Sequence, residues 1–195
     1  MKLVANCIYH IYNQGNNQET VFREREDYLR FLHKYRAMVA PYCNTFSFCL
    51  MPNHFHFLIN TTEKSVEKLQ LGGIQIHKLT DCFRKLLSEY AREINDKYNR
   101  TGSLFRQKTK AKLTIDTEAD YTFTCFHYIH QNPYRAKLVA KMEDWEFSSF
   151  QDYLTIRNGS LCKRELAKQL IEIHTNTFYE DSYQVIPDDI IQKLF

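Results

Sequence analysis

The stretch Phe48–Thr61, FCLMPNHFHFLINT, constrains the fold more than any other part of the chain. Two strand-like runs, NTFSFCLM and HFHFLIN, meet at Met51-Pro52-Asn53, where proline cannot donate to a ladder and one strand must end. Helical spacing stands on either side. Upstream, REREDYLRFLHKYRAMV repeats Tyr28, Phe31, Leu32, Tyr35 and Val39 every three or four residues, an amphipathic helix. Downstream, residues 65–98 read as mostly helical, with Gly72-Gly73 as a break. NCIYHIYNQGNN, with Cys7, Tyr9 and Ile11 alternating, predicts a first strand and a loop, and GSLFRQKTKAKLTI a strand after Arg100-Thr101-Gly102. DTEADYTFTCFHYIHQ predicts a helix capped by Asp116 or Thr117 and stopped by Asn132-Pro133. The order β-α-β-β-α-β-α specifies an α+β chain: a ferredoxin-like (split βαβ, RRM-like) antiparallel sheet with helices on one face. A C-terminal helical extension follows, with CKRELAKQLIEIH as a helix and an irregular tail. The expected division is residues 1–155 as the working domain and 156–195 as the extension.

Composition narrows the class. With 195 residues, 44% hydrophobic and 25% charged, the chain suits one globular domain. No apolar run approaches the ~18 residues of a membrane span, and the N-terminus lacks the long apolar stretch of a signal peptide. Cys7, Cys43, Cys49, Cys82, Cys125 and Cys162 form no CxxC pair, which implies reduced thiols and a cytoplasmic location. The net charge of +3 is uneven: residues 176–195 hold four acidic residues and one basic, net −3, so the remainder carries +6. Such a body accommodates nucleic acid without demanding it.

Three features bear on chemistry. Side chains alternate along a strand, so His54 and His56 share one face while Phe55, Phe57 and Ile59 share the other. Two imidazoles so placed can chelate a divalent ion, or they can be ordinary strand histidines. A zinc finger is excluded by cysteine spacing, and large HxH hydrolases need barrels of roughly 250 residues. Second, Tyr121, Cys125, Tyr128 and Asn132 make one stripe of the helix, away from Phe123, Phe126 and Ile129. Tyr128 is then either a nucleophile or a second packing contact. Third, Lys97 to Lys112 contains six basic residues and no acidic one. Arg106, Lys108, Lys110 and Lys112 would share one strand face, serving either edge protection or a phosphate backbone.

In combination these stretches resemble the single-tyrosine HUH transposases, most closely the REP-associated tyrosine transposase branch. The matching residues are Met51-Pro52-Asn53-His54-Phe55-His56, Gly102-Ser103-Leu104-Phe105, Tyr128-Ile129-His130-Gln131-Asn132-Pro133 with Arg135-Ala136, and Trp145-x-x-Ser148-Ser149. YHIYNQGNN and the following Val21-Phe22 fit as well, so the likeness spans residues 5–155 in order. It implies that His54, His56 and Asn132 hold Mg²⁺ or Mn²⁺ and that Tyr128 attacks single-stranded or hairpin DNA. The product is a 5′-phosphotyrosine link and a free 3′-OH, which conserves the phosphodiester energy and needs no P-loop. Arg100, Arg106, Lys108, Lys110, Lys112 and Arg135 are the expected DNA contacts. A homodimer is compatible with this, since some relatives exchange tyrosine helices, as is association with the nucleoid through bound DNA. Two departures stand out: Gln14 where an arginine often precedes the loop glycine, and Lys137 where a glycine is usual. The competing readings are a non-catalytic single-strand binder of the same fold and a phosphodiesterase using activated water.

Overall fold

The computed structural model describes residues 1–114 and 121–194. In chain order it contains β1 (Ile8–Gln14), α1 (Arg25–Met38), β2 (Cys43–Met51), β3 (His54–Thr61), α2 (Glu63–Val66), β4 (Lys68–Leu71), β5 (Ile74–His77) and α3 (Lys78–Lys97). These are followed by β6 (Lys110–Leu113), α4 (Tyr121–Arg135), α5 (Phe150–Tyr153), α6 (Arg164–Ile171), α7 (Phe178–Tyr183) and α8 (Asp188–Gln192).

Four strands form one antiparallel sheet in the order β2-β3-β1-β6. This is the split-βαβ arrangement: β1 and β3 lie side by side at the centre, and α1 and α3 make the crossovers. Both helices cover the face that carries Phe55, Phe57 and Ile59, all fully buried. Tyr35 of α1 stacks flat on Phe57 at 4.0 Å, and Phe31 packs against Phe55 at 5.3 Å. Burying a side chain of this size stabilises the fold by roughly 1.5–3 kcal/mol. α4, following β6, covers the opposite face through β2 and β3.

Loops fix the turn that starts β3. Pro52 and Asn53 form a two-residue connection between paired Met51 and His54. The loop after β1 wraps it: Gly15 N donates to Asn53 O at 2.7 Å, and Val21 N and Phe22 N both donate to Pro52 O. A side chain at Gly15 would sit 2.2 Å from Glu19 O, so only glycine fits this close approach. β2 contains one irregularity. Between Thr45 and Ser47 its register against β3 shifts by one residue, a β-bulge at Phe46. The outer edge of β2 is sealed by the Trp145–Ser149 segment. Trp145 Nε1 donates to Leu50 O at 3.0 Å, Leu50 N donates to Phe147 O, and Ser149 N donates to Phe48 O.

Four local expectations are corrected. Residues 68–77 are a β-hairpin rather than helix: Gly72 and Gly73 both have positive φ, as a tight turn requires, and LQL and IQI alternate beside it. The basic segment is regular strand only at Lys110–Leu113, where β1 offers a free edge; residues 104–106 contact β1's end through an isolated Gly15–Phe105 bridge. α4 continues through Pro133 to Arg135, because proline lacks only one N–H and near a helix end few carbonyls depend on it. The tail after α6 forms α7 and α8 instead of irregular chain, with Phe178 buried against Phe126 and Phe150. Asp116 and Thr117, the expected caps, lie outside the described residues.

Candidate active site

The site occupies the sheet face under α4. Cross-strand neighbours share a face, so the register places Tyr12 between His56 of β3 and Lys110 of β6, with Cys49 on the far side of His56. One row along, His10 stands between Leu58 and Lys112. Lys110 and Lys112 therefore lie on the histidine face, as the alternation predicts.

His54 and His56 project from the start of β3 with ring centroids 4.9 Å apart. Tyr128 of α4 meets His56 edge-on at 6.1 Å. One helical turn later, Asn132 donates to Tyr128 O at 2.9 Å, and its side chain lies close enough to His54 and to the Tyr128 hydroxyl to influence the protonation of both. The four residues picked from β3 and α4 thus converge on one wall.

Protonation follows from burial. Burial lowers the pKa of His54, with the acceptor oxygen of Asn132 opposing. His56 is fully enclosed and held well below the ordinary imidazole range by burial first, then by His10 and His54. Both rings are neutral near pH 7, the state a metal ligand needs. Burial pushes the Tyr128 phenol up to about 12, with Arg135 opposing; its free form is a protonated phenol. Two neutral imidazoles and an amide suit a divalent ion that keeps oxygen ligands from water or substrate. Among the described residues no cluster of three His, Cys, Asp or Glu side chains has a metal-holding arrangement; Asn132 stands beside His54 on the facing helix.

The fold has a counterpart among solved structures. The chain is similar in fold to a REP-associated tyrosine transposase. That structure, of the transposase bound to a REP hairpin, superposes with a TM-score of 0.56 at 15% identity, covering 83% of this chain and 87% of the other. No family profile matches the sequence, and no curated protein matches it. No helix among the described residues is long and apolar enough to cross a membrane.

The basic residues separate into two groups. Arg106 and Lys108 are exposed and, with Arg92 and Lys110, line a groove of about 1160 Å³ between α3, the β4–β5 hairpin and the 100–111 segment. Leu71, Ile74, Ile76 and Leu87 give this groove an apolar floor. The others are engaged by the chain itself. Arg100 pairs with Glu19 and donates to Asn95 at 2.6 Å. Arg135 pairs with Asp188 at 2.9 Å, and Lys112 donates to Lys193 O beneath the Tyr121 ring.

Sequence reasoning missed His10 and Tyr12. His10 is fully buried and joined to His56 by a 2.8 Å hydrogen bond; Tyr12 lies 4.7 Å from His10 and 6.0 Å from His56 between ring centroids. The signal was present, because Cys7, Tyr9 and Ile11 alternating inward puts His10 and Tyr12 on the other face. It becomes informative only once β1 is known to pair with β3.

Proposed function

We propose that this protein is a metal-dependent single-stranded DNA endonuclease and strand transferase acting at hairpin-forming DNA. The observation that carries the reading is the convergence of His54, His56, Asn132 and Tyr128 from two separate elements. The hairpin bound to the solved neighbour supports the substrate class.

In this reading the Tyr128 oxygen attacks a backbone phosphorus. The new O–P bond replaces the bond to the 3′-oxygen, the phenol gives up its proton, and the departing 3′-oxygen gains one. A 5′-phosphotyrosine and a free 3′-OH result, and the reverse reaction rejoins strands. His54, His56 and Asn132 would hold Mg²⁺ or Mn²⁺, which when bound supplies Lewis-acid stabilisation of charge on the phosphate. Asn132 also stands beside the Tyr128 hydroxyl, where it favours the ionised phenol. A phenol titrating near 12 is a poor nucleophile at pH 7. The reading therefore requires activation at the site.

The basic groove favours one further reading, a non-catalytic single-strand binder, because it offers cations and apolar surface apart from Tyr128. One experiment separates the two. Wild-type protein with a labelled hairpin oligonucleotide and Mn²⁺ is expected to give an adduct that survives denaturation. Tyr128→Phe should give none while binding DNA within a few-fold of wild type. An adduct formed by Tyr128→Phe would sink the assignment, and wild-type binding without any adduct would leave the binder.

A further inference from the structure

The hydrogen bonds behind His56 determine which of its nitrogens carries the proton. A peptide carbonyl can only accept. Leu194 O lies 3.2 Å from His10 Nδ1, so that nitrogen bears the hydrogen. His10 has no exposed surface, and Lys112 lies near it across the sheet, so a charged ring there would be costly. In the neutral ring Nε2 then has the lone pair. Because Nε2 sits 2.8 Å from His56 Nδ1, His56 Nδ1 must be the donor, and the lone pair of His56 falls on its buried Nε2.

We propose that His10 is a positioning residue that sets the tautomer of His56, relaying the polarity of the Leu194 carbonyl through two imidazoles to place the His56 lone pair on Nε2. The inference rests on the metal reading of His54 and His56. His54 has a comparable arrangement, its Nδ1 lying 2.6 Å from Asn53 Oδ1, so both rings are held through Nδ1. The two supports differ in kind. An asparagine amide can rotate and exchange oxygen for nitrogen, whereas the relay behind His56 begins at main chain. The rings of His10 and His56 meet edge to edge along this hydrogen bond, with centroids 5.0 Å apart and planes 26° apart, a near-coplanar arrangement that holds the His56 plane as well as its proton. The opposite tautomer would need His10 to turn Nδ1 from the carbonyl or to carry a second proton inside the protein.

The first test is long-range ¹H–¹⁵N correlation of the histidines in the full-length, metal-free protein. Both His10 and His56 are expected as Nδ1–H tautomers; His56 as the Nε2–H form overturns the proposal. The second compares Mn²⁺ uptake, read by EPR of the free ion, in His10→Phe and His10→Gln. Phenylalanine keeps the ring and removes the acceptor, and should weaken Mn²⁺ binding about 10–100-fold, the usual effect of losing a partner behind a ligand. Glutamine can donate to Leu194 and accept from His56, and should return affinity to within about threefold of wild type. Wild-type affinity in His10→Phe overturns the role. If the wild type takes up no Mn²⁺ while His56 is the Nδ1–H form, the metal reading has failed. Uptake with His56 as the Nε2–H form defeats the relay alone. The tautomer measurement needs no variant, so it stands even if His10→Phe does not fold.

Discussion

β3 presents two different chemical surfaces one residue apart. On one side Phe55, Phe57 and Ile59 enter a core of aromatic rings from α1 and α3, where what counts is volume and the absence of water. On the other, His54 and His56 meet polar partners on β1 and α4, and what counts is which atom carries which proton. Both faces are covered by helices, so exposure does not distinguish them. The difference is that one face is satisfied by contact alone, while the other needs a defined set of donors and acceptors. A buried face of that second kind is costly to build, which is the physical reason to connect it with function.

Mutation can break this comparison directly. Phe57→Ala should cost about 3–5 kcal/mol of stability, the range for a large-to-small change in a close-packed site. His54→Ala loses the hydrogen bond to Asn53 and should cost about 1 kcal/mol, yet abolish DNA cleavage. Urea unfolding together with the adduct assay reads both; a large stability loss in His54→Ala would erase the distinction between the faces. Acid provides a second test, on the far side of α4. His127, hydrogen-bonded to Ser182 Oγ at 2.8 Å, has its pKa lowered to about 4 by burial. The unfolded chain takes that proton near pH 6.5, so the stability is full above 6.5 and lost as pH falls through 4. The expected loss is up to about 3 kcal/mol. His127→Phe should flatten this limb of the stability profile, and an unchanged acid limb would show that burial at α7 does not control it.

Much of the sheet was legible because strand and helix periods differ. The Phe/His alternation of β3 marked its two faces, and the three-to-four spacing in α1 marked its buried side. The Tyr128–Asn132 spacing placed both on one stripe of α4, which turned out to face the sheet. The hairpin at Gly72-Gly73 was hidden because Leu and Ile suit either period over four residues, and the glycine pair alone does not say whether it breaks a helix or turns a strand. His10 was hidden for another reason: its partner lies 46 residues away, and no local pattern encodes a cross-strand hydrogen bond. The reach of residues 178–194 onto α4 and β1 depends on scattered main-chain contacts, such as Gln131 donating to Ser182 O and Gln184 O, that no periodicity announces.

Smaller effects sharpen the contrast between the histidine face and the groove beside α3. Arg106→Ala or Lys108→Ala should lower the salt dependence of DNA binding by about one unit of slope each. Arg100, already paired with Glu19, should change it less. Equal slopes for all three would mean that the groove cations do not meet phosphate. The smallest change is expected at Lys137, whose φ of 56° is left-handed. Lys137→Gly should stabilise the protein by up to about 1 kcal/mol in urea unfolding, because only glycine adopts that conformation without strain; no gain would show that the turn after α4 relieves the strain by other means.

The bulge at Phe46 has a consequence for what lengths of chain the sheet can tolerate. Before it, Thr45 pairs with Ile59 on the aromatic side, and its hydroxyl meets Tyr35 at 2.9 Å. Beyond it, Ser47, Cys49 and Met51 pair with Leu58, His56 and His54 on the other side. Phe46 is therefore a phase shift written into β2. Removing that one residue would bring Thr45 next to Ser47 opposite the neighbours Ile59 and Leu58, so every existing pair and face would be kept, and the loss would be the buried Phe46 ring and the carbonyl that accepts from Tyr153. A one-codon deletion elsewhere in β2 has no such spare residue and should be more damaging to the ladder, because it would turn part of the strand onto the wrong face.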